Sequence, residues 1–129
     1  MKILGEPRKY LGIEINRNKE TRTMSLTQQK FVESLLNKYG MEDCRECNTP
    51  MVTNQASRKS KYKPTIETTL DLTKHIPYRE VVGALLYLTM CTRPDISFCV
   101  NALTRKCSNY DIDDWVKVER VLKYLKRTK

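Results

Sequence analysis

Apolar and polar positions change rhythm several times along the chain. From Arg8 to Asn16 they alternate, with Leu11, Ile13 and Ile15 on one side and Gly12, Glu14 and Asn16 on the other. A period of two is that of a half-buried strand, because successive side chains point to opposite faces. A polar, turn-prone run follows from Asn16 to Thr21, after which Met24 and Leu26 alternate around Ser25. These segments predict a two-stranded hairpin with a loose tip. At Thr27 the period lengthens. Phe31, Val32, Leu35, Leu36 and Tyr39 form the stripe of an amphipathic helix over roughly 28–39, with Thr27 as N-cap and Gly40 as its C-terminal stop.

Periodicity fades from Met41 to Ile76, and the stretch from about 52 to 75 reads as a flexible basic loop or a binding arm carrying Arg58, Lys59, Lys61 and Lys63. Pro77 suits the first position of a new helix. Tyr78, Val81, Val82, Leu85, Leu86 and Leu88 give that helix a wide apolar face. Gly83 within it costs about 1 kcal/mol against alanine, which predicts a close backbone contact in compensation. Arg93 precedes Pro94, so the helix ends there and another begins, burying Ile96, Cys99, Val100 and Leu103. The last helix opens at Asp111, with Asp113 and Asp114 in its first turn, where carboxylates favour the helix dipole. Trp115, Val118, Leu122 and Leu125 mark its core side. The predicted class is α+β, mostly α: an N-terminal β-hairpin followed by a bundle of about four helices.

At 129 residues there is room for one modest core. Lys and Arg number 24 against 15 Asp and Glu, giving a net charge of +9. Such an excess points to a polyanionic partner or, more simply, to a solvated basic surface. Both readings also apply to the final helix, where Lys117, Arg120, Tyr124 and Arg127 share a face with Lys123 and Lys126 beside it. The stripe could neutralise phosphates while the tyrosine stacks on a sugar or base. Alternatively, it is a solvated face with cations suited to a helix C-terminus. The longest apolar-rich stretch, Val81 to Cys91, is too short to span a bilayer, and Met1 to Lys9 shows no signal peptide. The expected location is cytoplasmic or nuclear.

Five cysteines (Cys44, Cys47, Cys91, Cys99 and Cys107) without a secretory signal predict reduced thiols. Cys44 and Cys47 have the spacing used by zinc ribbons and redox enzymes. No second pair follows and His75 is the lone histidine, so neither a metal site nor redox chemistry is expected. A two-metal polymerase needs converging carboxylates. The one Asp-Asp pair, Asp113-Asp114, fits helix capping better, and no phosphate loop or hydrolase triad is present. No catalytic residue and no cofactor is assigned to this chain.

Several phrases carry more than periodicity. Tyr10-Leu11-Gly12-Ile13-Glu14-Ile15 resembles the hairpin that follows the palm in copia-type retrotransposon reverse transcriptases. Ser25-Leu26-Thr27-Gln28-Gln29-Lys30-Phe31 is similar to that family's next helix start. Gly40-Met41-Glu42-Asp43-Cys44 and Thr49-Pro50-Met51 follow in the same order. The most specific block is Pro77-Tyr78-Arg79, Val82-Gly83-Ala84-Leu85-Leu86-Tyr87-Leu88 and Thr92-Arg93-Pro94-Asp95-Ile96. Trp115 and Arg120-Val121-Leu122-Lys123-Tyr124-Leu125-Lys126 complete the series.

The resemblance implies a partial reverse-transcriptase fold: residues 1–27 as a primer-grip hairpin at the end of the palm, and 28–129 as thumb and connection. It implies that Leu11, Gly12, Lys117, Arg120, Tyr124 and Arg127 contact an RNA/DNA primer–template duplex. The palm and ribonuclease H portions of the same polyprotein would be further partners, and the Mg2+ of the intact enzyme would be held by them. The family's Tyr-Val-Asp-Asp turn and ribonuclease H carboxylates are not found here, so inactivity in isolation is expected. Arg127 stands in place of a usual glycine and Tyr110 where proline is common. Cys47 occupies a variable position. The rival expectation is a domesticated or relic helical protein acting as a protein-interaction module.

Overall fold

The computed structural model describes residues 5–52 and 76–129. The predicted basic loop, with Arg58, Lys59, Lys61 and Lys63, and His75 lie outside the described residues.

Three antiparallel strands come first, in the order β1 (Lys9–Tyr10), β2 (Ile13–Asn18) and β3 (Thr23–Thr27). The continuous strand expected from Arg8 to Asn16 is therefore broken in two. The break falls at Leu11 (φ 47) and Gly12 (φ 82), where both central residues of a two-residue turn take positive φ. That combination matches the twist of the strands it joins, and glycine adopts it without the penalty a side chain brings. The second turn begins at Asn18, whose Oδ1 accepts from the backbone N–H of Glu20 at 2.9 Å and of Thr21 at 3.2 Å.

Among the described residues four α-helices follow: α1 (Gln29–Lys38), α2 (Tyr78–Cys91), α3 (Ser97–Thr104) and α4 (Ile112–Arg127), with a 3-10 turn at Pro94–Ile96 before α3. Thr27 accepts from the Gln29 N–H at 3.3 Å, beside rather than at the formal N-cap, Gln28. Gly40 (φ 63) ends α1 as expected, with the Met41 N–H on the Leu36 carbonyl at 2.8 Å and the Gly40 N–H on Asn37 at 3.0 Å. This is a Schellman closure.

The helices enclose one core. Val32, Leu35 and Leu36 of α1 meet Tyr78, Val81, Val82, Leu85 and Leu88 of α2, Cys99, Val100 and Leu103 of α3, and Val118, Val121, Leu122 and Leu125 of α4. Tyr78 is buried and its hydroxyl donates to the Leu103 carbonyl at 3.0 Å. Tyr110 stacks on it at 4.4 Å with the planes 3° apart, adding an aromatic lid to the core.

Gly83 departs from expectation. A Cβ added there would meet nothing within 4 Å among the described residues, none of which makes a close contact that compensates for the glycine. Gly83→Ala is expected to raise stability by about 0.5–1 kcal/mol, measured by chemical denaturation; a loss would reveal a hidden contact.

Asp111 and Asp114 form a capping box at the start of α4. The Asp114 N–H donates to the Asp111 carboxylate at 2.8 Å and the Asp114 carboxylate accepts the Asp111 N–H at 3.4 Å. Burial pushes the Asp114 carboxyl up, but the bonds from Lys117 and the Asp111 N–H outweigh it and hold it below its ordinary value. A carboxylate lowered in the folded state stabilises above its unfolded pKa and loses that contribution as pH falls through the folded one. Asp114→Ala is expected to cost about 1 kcal/mol at neutral pH, with the difference from the parent shrinking below about pH 4 in denaturation curves.

Candidate nucleic-acid interface

The six residues singled out from the sequence fall into two places. Leu11 and Gly12 form the tip of the β1–β2 turn, with Leu11 72% exposed. The Tyr87 hydroxyl of α2 donates to the Leu11 carbonyl. Its ring in turn meets Phe31 of α1 edge-on at 5.4 Å. A Cβ at Gly12 would sit 3.5 Å from the Tyr87 hydroxyl, an ordinary contact, so the positive φ and not space favours glycine there. The outcome is an exposed turn pinned to α2 through the Leu11 carbonyl.

Lys117, Arg120, Tyr124 and Arg127 lie along α4, and each has a partner within the chain. Lys117 donates to the buried carboxylate of Asp114 at 2.8 Å. Tyr124 donates to Asp95 at 2.9 Å, and the Arg93 guanidinium lies 5.6 Å from its ring centroid. Arg93 in turn grips Asp95 through two bonds, at 3.0 and 2.8 Å. It also donates to the Thr128 carbonyl at 3.2 Å, tying the turn before α3 to the end of α4. The bonds from Arg93 first, and then from Tyr124, hold the Asp95 carboxyl below its ordinary range despite burial.

Three further cations of α4, Arg120, Lys126 and Arg127, hold the segment 44–49, which the sequence left without structure. The Arg120 side chain donates to the Thr49 carbonyl at 3.2 Å and to its hydroxyl at 3.0 Å. Lys126 donates to the Cys44 carbonyl at 2.8 Å, and Arg127 donates to Asn48 Oδ1. The Cys47 N–H completes the strap by donating to the Lys123 carbonyl at 3.3 Å. These cations divide by partner. Lys117 and Arg93 face carboxylates, and Lys123 has Glu119 at 3.7 Å. Arg120, Lys126 and Arg127 donate to neutral oxygens, which satisfy a hydrogen bond but leave the positive charge standing.

The sheet carries a second feature. Directly paired residues of an antiparallel ladder share a face, which places Tyr10, Ile13, Ile15, Leu26, Arg17 and Met24 together. Tyr10 and Met24 are each 63% exposed and Leu26 50%, so this apolar face is uncovered by the described residues. A groove of about 820 Å³ runs beside it, lined in part by Arg8, Ile15, Arg17 and Met24. Among the described residues, no three His, Cys, Asp or Glu side chains converge as metal ligands, and no helix is long and apolar enough to cross a membrane.

Comparison with known proteins adds what geometry cannot. Over 128 residues the chain is 33% identical to the "Retrovirus-related Pol polyprotein from transposon TNT 1-94" of Nicotiana tabacum, a match covering 99% of this chain and 10% of the polyprotein. Two transposon Pol polyproteins of Arabidopsis thaliana are 34% and 33% identical to it, each over 119 residues. An uncharacterized mitochondrial protein of Arabidopsis thaliana is 35% identical over 130 residues, 99% of this chain and 49% of that protein. A putative transposon Ty5-1 protein of Saccharomyces cerevisiae is 30% identical over 130 residues, 100% of this chain and 39% of that protein. This chain thus spans between a tenth and about half of the length of these relatives. No family model and no solved structure matches it. The resemblance read from the sequence therefore stands at the level of a retrotransposon Pol region.

Proposed function

We propose that this chain is the part of a copia-type reverse transcriptase that follows the polymerase palm and holds the primer–template duplex. One observation carries the reading: Arg120, Lys126 and Arg127 keep their charge along one helix while their geometry is set by neutral acceptors. A row of fixed cations that no carboxylate among the described residues compensates suits phosphates whose sequence is not read. In this reading residues 1–27 are the primer grip, with the exposed Leu11–Gly12 turn near the duplex, and 28–129 are thumb and connection. Lys117 and Tyr124 would flank the phosphate row, although both also serve internal bonds.

Mg2+, which such polymerases use, does not fit the described residues. Of the adjacent acids, Asp113 and Asp114, the second is buried in the capping box and bonded to Lys117. We assign this chain a holding role and no bond-making step. Titration of an RNA–DNA duplex at several salt concentrations tests it: affinity falls steeply with salt if phosphates are gripped, and an affinity indifferent to salt removes the reading.

A protein-interaction module is the second reading, favoured by the uncovered apolar face around Tyr10, Met24 and Leu26. A defined complex with a protein, together with no affinity for nucleic acid, would support it over the first.

A further inference from the structure

Where the 44–49 strap crosses α4, a cleft of about 510 Å³ opens between Arg45, Glu46, Cys47 and Asn48 on one wall and Arg120 and Lys123 on the other. Three cations and one carboxylate line it, so it is positive on balance. Its donors are placed before any ligand arrives. Arg120 uses two of its five N–H donors on Thr49, which orients the guanidinium and leaves the others available. Arg127 donates to Asn48 Oδ1, and among the described residues nothing takes up the amide nitrogen of Asn48. Lys123 has its carboxylate neighbour, Glu119, only at 3.7 Å. The strap is pinned on both sides of Arg45, by Lys126 on the Cys44 carbonyl at 2.8 Å and by the Cys47 N–H on the Lys123 carbonyl at 3.3 Å.

We propose that this cleft binds a phosphate group, held by Arg45, Arg120 and Lys123 with Asn48 as a neutral donor. A guanidinium fork and an ammonium match the oxygens of a phosphate in both number and charge. Pre-set donors avoid the ordering cost of building a site around the ligand. The inference rests on the reading of α4 as a surface for a polyanion, and adds Arg45, Asn48 and Lys123 to it. The phosphate is either part of a nucleic-acid backbone or a free phosphate, and the two sources are separable by experiment.

The test uses the full 129-residue chain. Amide and arginine Nε–H resonances are followed by NMR at constant ionic strength during titration with sodium phosphate and, separately, with an RNA–DNA duplex. Saturable shifts of the Asn48 side-chain amide and the Arg120 Nε–H with phosphate are expected. The R45Q/K123Q variant should weaken that binding by at least about tenfold, as loss of charge-assisted bonds does. R45Q alone, changing only an exposed side chain, should weaken it in the same direction if the double variant melts early. Weaker duplex binding by the variants identifies a backbone phosphate as the ligand; unchanged duplex binding identifies free phosphate. Absence of saturable shifts at Asn48 and Arg120 with either ligand overturns the cleft, even if the duplex binds elsewhere and the holding role survives. Phosphate binding without duplex binding upholds the cleft and removes the holding role.

Discussion

Leu122→Ala is expected to lower stability by about 2–5 kcal/mol, because it removes a fully buried side chain from a closed core. Leu122 belongs to α4, which packs against α1, α2 and α3. The lost methyl groups leave a cavity that three helices must close or tolerate. A folded domain is stable by only about 5–15 kcal/mol, and a small one lies toward the lower end, so the variant should melt at least about 7 °C lower. Leu11→Ala provides the contrast. Leu11 has the same side chain on an exposed turn, and its truncation should change stability by no more than about 0.5 kcal/mol. Equal losses at the two positions would mean that α4 does not close the core as described.

The parts of the fold legible in the sequence are those in which one periodic stripe meets one core. Ile96, Cys99, Val100 and Leu103, and Val118, Leu122 and Leu125, follow helical spacing and are all buried. Asp111 and Asp114 were legible because a capping signal is local. The β1–β2 turn was not. Leu11, Ile13 and Ile15 continue an alternation across it, and a leucine at φ 47 is an uncommon turn residue. Gly83 pointed to a contact that the described residues do not make.

In the candidate site the limit is one of distance along the chain. The spacing of Arg120, Lys123, Lys126 and Arg127 shows that they neighbour one another, not what they face. Their partners, Thr49 and Cys44, lie 71 and 82 residues earlier, in a stretch with no period of its own. The strap is shaped by side-chain donors rather than by a backbone ladder, so nothing local announces it. Arg93 bonds Asp95 two residues away and also Thr128, 35 residues on, a reach that no local pattern announces.

The holding role makes the other large prediction. If Arg120, Lys126 and Arg127 each neutralise one phosphate, three counterions are displaced on binding. The logarithm of the affinity should then fall with the logarithm of salt at a slope near −2.7, about a fortyfold loss between roughly 50 and 200 mM. Arg120→Gln with Arg127→Gln removes two of the three charges and should reduce the slope by nearly two. Because the partners of both arginines are neutral, neither replacement strands a buried carboxylate. A thermal melt confirms that the variant remains folded.

The most direct measurement is this slope, taken by fluorescence anisotropy with a labelled RNA–DNA duplex for the parent chain and the double variant. A steep slope in the parent, flattened in a variant that remains folded, is the expected result. Equal slopes in the two proteins, or a parent affinity that does not respond to salt, would contradict a duplex held by the cations of α4.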